Sequence, residues 1–122
     1  MLSLPAAVRV FACTTPVDMR KSFHGLAATV ESALGTDPMN GQVFCMFSRN
    51  AQHIRLLWWD GDGWLLVAKR LEKGRFQMPW ALTKPTAPLP VSWAVDPDDL
   101  TAILRGVDLR SIKRLPRWRP SN

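Results

Sequence analysis

The fold of this chain is decided by residues 53–76, HIRLLWWDGDGWLLVAKRLEKGRF. Two apolar runs, residues 53–59 and 63–69, flank the turn sequence of residues 60–62, Asp-Gly-Asp. An Asp-Gly step between β-prone runs is a strong hairpin signal, because glycine adopts the positive φ that a tight turn between twisted strands requires. The stretch contains three tryptophans, Trp58, Trp59 and Trp64. We therefore predict a hydrophobic hairpin that leads into the basic segment of residues 69–75.

Apolar runs on both sides of the hairpin predict the other strands of a sheet. Residues 8–13 alternate in polarity and predict a first strand, and residues 42–48 are apolar on both faces and predict a central strand. Residues 91–95 fit a short edge strand. On the third strand, alternation places Ile54, Leu56 and Trp58 on one face, and His53, Arg55, Leu57 and Trp59 on the other.

Two helices complete the predicted elements. The first begins near Asp18, whose carboxylate suits an N-cap, and ends at Gly35. Its apolar stripe consists of Met19, Phe23, Leu26, Ala27, Val30 and Leu34. The second begins at Asp96-Pro97 and ends at Gly106. Residues 78–90 are rich in proline, which excludes regular helix and central strand, and predict a loop.

These elements predict a single α+β domain over residues 1–108, followed by a basic and flexible tail over residues 109–122. The domain has a mainly antiparallel, meander-like β-sheet, one long helix packed on one of its faces, and a short C-terminal helix. One helix covers only one face of a sheet. The second face must be covered by the C-terminal segment, by a second subunit in a homodimer, or by a partner, and the sequence leaves these alternatives open.

The net charge of +6 is concentrated at the C-terminus, where residues 105–122 carry six basic side chains and a single acid, Asp108. A basic arm beside a near-neutral body indicates an anionic partner, most commonly nucleic acid, although such a tail also serves solubility alone. No apolar run reaches the ~18–20 residues that cross a bilayer, and the N-terminus lacks the pattern of a signal peptide. We expect a cytoplasmic protein without a membrane partner.

Catalysis has weak support in the sequence. The candidate carboxylates for a two-metal site are Asp18, Asp37, Asp60, Asp62 and Glu72, and each also suits a cap, a turn or a local ion pair. Cys13 and Cys45 stand alone in apolar runs and are expected to be structural thiols. We predict no metal, no cofactor and no enzymatic activity. A small metal-dependent nuclease and a transcriptional regulator stay open as alternatives.

Three motifs in the first two thirds of the chain resemble a known family. They are residues 16–26, PVDMRKSFHGL, residues 57–63, LWWDGDG, and residues 69–76, KRLEKGRF. In this order and spacing they resemble the TnpB-type (second reading frame) accessory protein of the bacterial insertion sequence sixty-six family, over roughly residues 5–80. The family often has glycine and aspartate where this chain has Ser22 and His24, so neither residue is a functional candidate.

The resemblance implies a protein encoded beside a transposase and needed for efficient transposition, while strand transfer belongs to the transposase. The expected partners are DNA, in particular the ends of the element, and the cognate transposase. Basic side chains are the candidate contacts because phosphates dominate affinity for DNA, and the tryptophans near Arg55 offer a stacking surface for unpaired bases. The candidates are Arg20, Lys21, Arg55, Lys69, Arg70, Lys73, Arg75, Arg110, Lys113, Arg114, Arg117 and Arg119. A protein-interaction module that docks the transposase is the other interpretation.

Overall fold

The computed structural model describes residues 8–82 and 88–105. This part of the chain forms a five-stranded mixed sheet with helices on both faces. In chain order its elements are β1 (Val10–Cys13), α1 (Phe23–Leu34), β2 (Val43–Phe47), β3 (His53–Trp59), β4 (Trp64–Arg70), a short 3₁₀ helix (Pro79–Leu82), β5 (Ser92–Val95) and α2 (Pro97–Leu104). The α+β prediction is confirmed.

The predicted hairpin is formed by β3 and β4. Gly61 has a φ of 112°, which explains why glycine follows Asp60 at the turn. The Asp60 carboxylate accepts the backbone N–H of Gly63 at 3.2 Å, and the Asp60 N–H donates to the Gly63 carbonyl at 3.1 Å. The rings of Trp59 and Trp64 meet edge-on across the first strand pair, with centroids 5.1 Å apart.

The strand order is β4-β3-β2-β1-β5, and it corrects the predicted meander. Strands β2, β3 and β4 do form an antiparallel meander, and β5 is antiparallel to β1. However, β1 is parallel to β2. The reason is that α1 carries the chain back along the sheet between them, so that both strands run in the same direction.

The first helix begins later than predicted. α1 has 12 residues and starts at Phe23, with Ser22 as its N-cap residue. The Asp18 carboxylate does not cap it; it accepts the backbone N–H of Arg20 at 2.9 Å and closes a turn before the helix. Arg20 and Lys21 therefore precede the helix instead of lying in its first turn. The predicted end is confirmed, since Gly35 has a φ of 63° and its N–H donates to the Glu31 carbonyl at 3.1 Å.

The sheet has an apolar core on each face. The core on the α1 side consists of Cys13, Val17, Phe44, Met46 and Leu57, together with Leu26, Ala27 and Val30 of the helix itself. The opposite core contains Val10, Ala12, Val43, Cys45, Phe47, Ile54, Leu56, Phe76, Val95, Leu100 and Ile103. This second face is covered by α2 and the 3₁₀ helix, so the first of the three alternatives, the C-terminal segment, is correct. Intramolecular packing fills the face that had left room for a second subunit.

The second helix is built as predicted. The Asp96 side chain accepts the N–H of Asp98 at 2.8 Å, and Pro97 takes the first helical position. The predicted stop at Gly106, the boundary at residue 108 and the basic tail lie outside the described residues. Within the described ranges, no helix combines the length and the apolarity that a bilayer span requires.

Candidate functional site

The strand directions place charges of opposite sign at the two ends of the sheet. β1, β2 and β4 end, and β3 begins, at one end, and the register places Arg70 beside His53 there. We call this the basic end; its cations are Arg20, Lys21, Arg49, Arg55, Lys69, Arg70, Lys73, Arg75 and Arg105. At the opposite, acidic end lie Asp37, Asp60, Asp62, Asp96, Asp98 and Asp99. The described part of the chain is therefore electrically polar along its strands.

Backbone and side-chain hydrogen bonds join the three segments that form the basic end. The segment before α1 is tied to the sheet by the Val17 N–H, which donates to the Phe47 carbonyl at 2.9 Å. The turn of residues 48–52 is tied to the turn of residues 71–76 twice. Leu71 donates its N–H to the Gln52 carbonyl at 2.9 Å, and Phe76 donates its N–H to the Ala51 carbonyl at 2.7 Å. Segments distant in sequence thus form one continuous surface.

The turn of residues 48–52 is held by its own hydrogen bonds and presents Arg49 to solvent. The Ser48 hydroxyl donates to Asn50 Oδ1 at 2.7 Å and accepts the N–H of His53 at 3.1 Å. Ala51 has a φ of 59°, the sole non-glycine residue with a positive φ in the described ranges. That conformation costs an alanine about 1–2 kcal/mol, so the surrounding hydrogen bonds must over-determine it.

Two concavities flank this turn. A groove of about 400 Å³ separates it from Val17, Asp18 and Met19. A pocket of about 260 Å³ lies between the turn, residues 13–16, Met78 and Trp80. Ser48 and Arg49 line both. Arg49 thus stands on a ridge between two recesses, where an extended anionic chain can reach it from either side.

Some predicted cations are held by the protein itself. The Arg55 guanidinium donates from Nη2 to the Met19 carbonyl at 3.1 Å, and Lys69 Nζ donates to the Leu104 carbonyl at the end of α2. Lys21 Nζ donates to the Thr29 hydroxyl at 3.0 Å. The Lys21 side chain passes over Gly25, where an added Cβ would lie 3.1 Å from the Lys21 Cβ. The absence of a side chain at Gly25 therefore leaves room for Lys21.

Two further cations form exposed ion pairs. Arg20 Nη2 lies 2.9 Å from Asp18 Oδ2, and the Arg20 side chain is 91% exposed. The side-chain hydrogen bond from Arg20 lowers the pKa of Asp18 from 3.8 to about 2, with a smaller contribution from the Arg20 N–H. Arg70 Nη2 lies 3.2 Å from Glu72 Oε1. Exposed pairs of this kind add little to stability because solvent screens them, so a phosphate can compete for either arginine.

The remaining cations in the turns of residues 48–52 and 71–76 are available to bind a ligand. Arg49, Lys73 and Arg75 are exposed, and their side chains form no hydrogen bond or ion pair with the described residues. Arg49 was not among the predicted site residues, because the polar residues 49–52 indicate only a turn. The signal that could have found it is the alternation of cationic and acidic turns between successive antiparallel strands.

The tryptophans do not join the basic residues. Trp58 lies on the α2 face, and its Nε1–H donates to the Gly41 carbonyl at 3.0 Å. Trp64 packs beside the core under α1, and its partner in ring contact is Trp59. All three lie towards the acidic end, next to the Asp60 turn. A stacking surface that combines Arg55 with the three rings is therefore not formed.

Metal and thiol chemistry find little support in the part of the chain that the structure describes. It holds no group of three or more His, Cys, Asp or Glu side chains able to bind a metal. Cys13 and Cys45 are free and buried in the two different cores. Burial, and secondarily the nearby Cys13, raises the pKa of the Cys45 thiol far above its ordinary value. A protonated, enclosed thiol is inert, as expected of a structural residue.

Comparison with known proteins gives one family and two relatives. The model of the family described as IS66 Orf2 like protein matches residues 8–114. Uncharacterized protein y4jC of Sinorhizobium fredii is 32% identical over 124 residues, covering 99% of this chain and 97% of the relative. Uncharacterized protein y4hO of the same organism is 34% identical over 121 residues, again covering 99% and 97%. No solved structure gives a significant match.

Proposed function

We infer the function from one premise: this chain belongs to the IS66 Orf2-like family. It is accordingly an accessory protein of an insertion sequence. We propose that it supports transposition by binding DNA at the basic end of its sheet and by contacting the transposase of the same element. In this proposal the chain positions the DNA and the transposase carries out strand transfer, so the chain itself is not an enzyme.

The observation that carries this proposal is the convergence of basic segments at one end of the sheet. Residues 20–21, residue 49 and residues 69–75 are separated along the chain, yet the strand directions and the hydrogen bonds at Val17, Leu71 and Phe76 unite them. Phosphate contacts from such clusters supply most of the affinity of a non-specific DNA-binding protein. The acidic end repels DNA, so the molecule has a defined orientation towards a duplex.

The predicted tail cations extend the same surface in this proposal. Arg110, Lys113, Arg114, Arg117 and Arg119 lie outside the described residues, but α2 ends at Leu104, which Lys69 contacts at the basic end. The chain therefore leaves the described domain on the side where the other cations lie. We propose that the tail adds phosphate contacts to those of the domain.

The test is a titration of DNA binding against salt. Fluorescence anisotropy of labelled duplexes, one with the element end and one of random sequence, is followed from low to high salt, with and without Mg²⁺. Replacing Arg49, Lys73 and Arg75 together with glutamine should weaken binding at least tenfold at low salt. The slope of log K against log salt should fall by roughly 0.9 for each phosphate that the variant no longer neutralises. Arg9→Gln, which removes one exposed cation from the acidic end, is a control for the position of the charge and should bind like the wild type.

A second arm replaces the five tail cations with glutamine in the full chain. A lower salt slope with unchanged melting temperature is expected. Wild-type binding by both multiple variants would overturn the proposed DNA surface. Cleavage of the duplex in Mg²⁺ would favour a nuclease. Co-purification with the transposase without any DNA affinity would leave a protein-interaction module as the function.

A further inference from the structure

Among the residues that the structure describes, strand β4 forms an open sheet edge with a fixed pattern of backbone groups. It is the outermost strand, seven residues long, and its described pairing is to β3 alone. The Asp60 N–H donates to the Gly63 carbonyl, and the Leu71 N–H donates to the Gln52 carbonyl. These two hydrogen bonds determine which residues of β4 direct their backbone groups towards β3. Residues 65, 67, 69 and 71 thus direct their backbone groups towards β3. Trp64, Leu66, Ala68 and Arg70 direct theirs outward.

Natural proteins usually blunt such an edge with proline, a bulge, a short strand or charged side chains, and the charged side chains of β4, Lys69 and Arg70, occupy only its last two positions. β4 contains no proline and no glycine, and it is the longer of the two edges, since β5 has four residues. Leu65 is 40% exposed on it, and Ala68 is exposed too. An edge of this kind is suited to pairing with another strand.

We propose that β4 pairs antiparallel with β4 of a second copy of this chain, about a twofold axis at Val67. In this register Trp64 lies opposite Arg70 of the second copy, and Leu66 lies opposite Ala68. All four outward residues of each strand are then paired, giving about eight hydrogen bonds and a continuous ten-stranded sheet. Val67 meets its own counterpart, and the stem of Lys69 covers the exposed Leu65.

The charge distribution selects a second copy in the antiparallel sense. Antiparallel pairing sets the acidic Asp60–Asp62 turn of one copy beside the basic turn at Lys73 and Arg75 of the other, on both sides of the axis. Parallel pairing would bring like-charged turns together. Trp64 opposite Arg70 adds a cross-strand cation–π contact. The pairing needs no DNA, so its failure would leave the proposed function untouched.

The experiment measures mass by light scattering after size exclusion, without DNA, at micromolar and higher protein concentrations. The wild type should elute at about twice its mass of 13.7 kDa. Ala68→Pro removes one outward N–H from β4 and should give a folded monomer, whose melting temperature, unlike that of the wild type, does not rise with protein concentration. The matched control is Ala94→Pro on the other edge strand, β5. The Thr14 N–H donates to the Val91 carbonyl, and the alternation from this pair directs the Ala94 N–H away from β1. The control variant should stay dimeric.

A covalent measurement distinguishes this register from other dimers. Val67→Cys should form a disulfide-linked dimer on mild oxidation, because residue 67 faces itself across the axis. Leu65→Cys should not, because it faces residue 69. A monomeric wild type, a dimer that survives Ala68→Pro, or equal crosslinking of both cysteine variants would overturn the proposal.

Discussion

Arg55 Nη2 donates a hydrogen bond to the backbone carbonyl of Met19 at 3.1 Å, joining strand β3 to the segment that precedes α1. The next two residues of that segment, Arg20 and Lys21, belong to the basic end. A strand arginine that was expected to touch DNA thus fixes the backbone of two other candidate contacts. Arg55 is half-buried while Arg20 and Lys21 are exposed, which separates a positioning role from a binding role.

Arg55→Gln should lower the free energy of unfolding by about 1.5–3 kcal/mol, the range for a hydrogen bond that involves a charged group. The urea midpoint should fall without a change in the denaturant slope. Arg75→Gln is the matched control, since it removes the same charge from an exposed side chain. Its stability should stay within about 0.5 kcal/mol of the wild type while DNA binding weakens. Equal losses of stability in both variants would contradict the distinction.

Lys69 and Lys73 should behave differently although both belong to the basic segment after the hairpin. Lys69 Nζ donates a hydrogen bond to the Leu104 carbonyl at the C-terminal end of α2, where the helix dipole favours a positive charge. Lys69→Met keeps the aliphatic stem and should cost about 1 kcal/mol of stability. Lys73→Met should leave stability unchanged and reduce DNA affinity more. Thermal unfolding and anisotropy on the same samples measure both effects, and a stable Lys69→Met variant would show that the bond does not hold α2.

The hairpin could be predicted to within a residue because its signals are local. The alternation of residues 53–59 and the Asp60-Gly61 step act within one turn, and β3 has the predicted bounds. The start of α1 was predicted too early because an aspartate such as Asp18 can serve either of two local purposes. The Asp18 carboxylate can cap a helix or accept the N–H two residues on, and it does the latter. Nothing in the local pattern distinguishes the two.

The candidate site was harder to predict because it depends on pairings between distant strands. The parallel contact of β1 with β2 brings residues 14–21 to the turn that carries Arg49, and single-strand periodicity contains no such information. For the same reason the three tryptophans were grouped with Arg55, although they lie at the other end of the sheet. Apart from Arg49, the cations of the two turns and of the segment before α1 were recognised individually. Their arrangement required the topology.

The turn of the hairpin allows a clean test of backbone strain. Gly61 has a φ of 112°, and an added Cβ would meet no atom within 4 Å. Gly61→Ala should therefore destabilise the fold by about 1–3 kcal/mol through the backbone alone. Gly63→Ala is the control, since its φ is not in the positive range and its Cβ would also find open space. It should be neutral or slightly stabilising. Chemical denaturation of both variants measures the difference.

The ion pair of Asp18 with Arg20 predicts a low pKa for Asp18 and a higher DNA affinity when Asp18 is neutralised. The Arg20 guanidinium lowers the pKa of Asp18 from 3.8 to about 2. Because the folded pKa lies below the ordinary value, the pair's stabilisation is complete above about pH 4 and is lost as the pH falls through about 2. Carboxyl NMR shifts should give that midpoint. Arg20→Gln should move it towards 3.8, whereas Lys21→Gln should change it little, because Lys21 makes the smallest contribution.

At neutral pH the Asp18 carboxylate therefore competes with any phosphate for Arg20. Asp18→Asn removes the competitor and adds one net positive charge at the basic end, so DNA affinity at low salt should rise severalfold and its salt slope should steepen. Asp37→Asn makes the same charge change at the acidic end, in the loop between α1 and β2, which lies on neither the basic end nor the β4 edge, and it serves as the control. If both variants gained affinity equally, net charge alone would govern binding and the basic end would have no special part in it. A gain confined to Asp18→Asn would assign DNA contact to the segment that Arg55 holds in place.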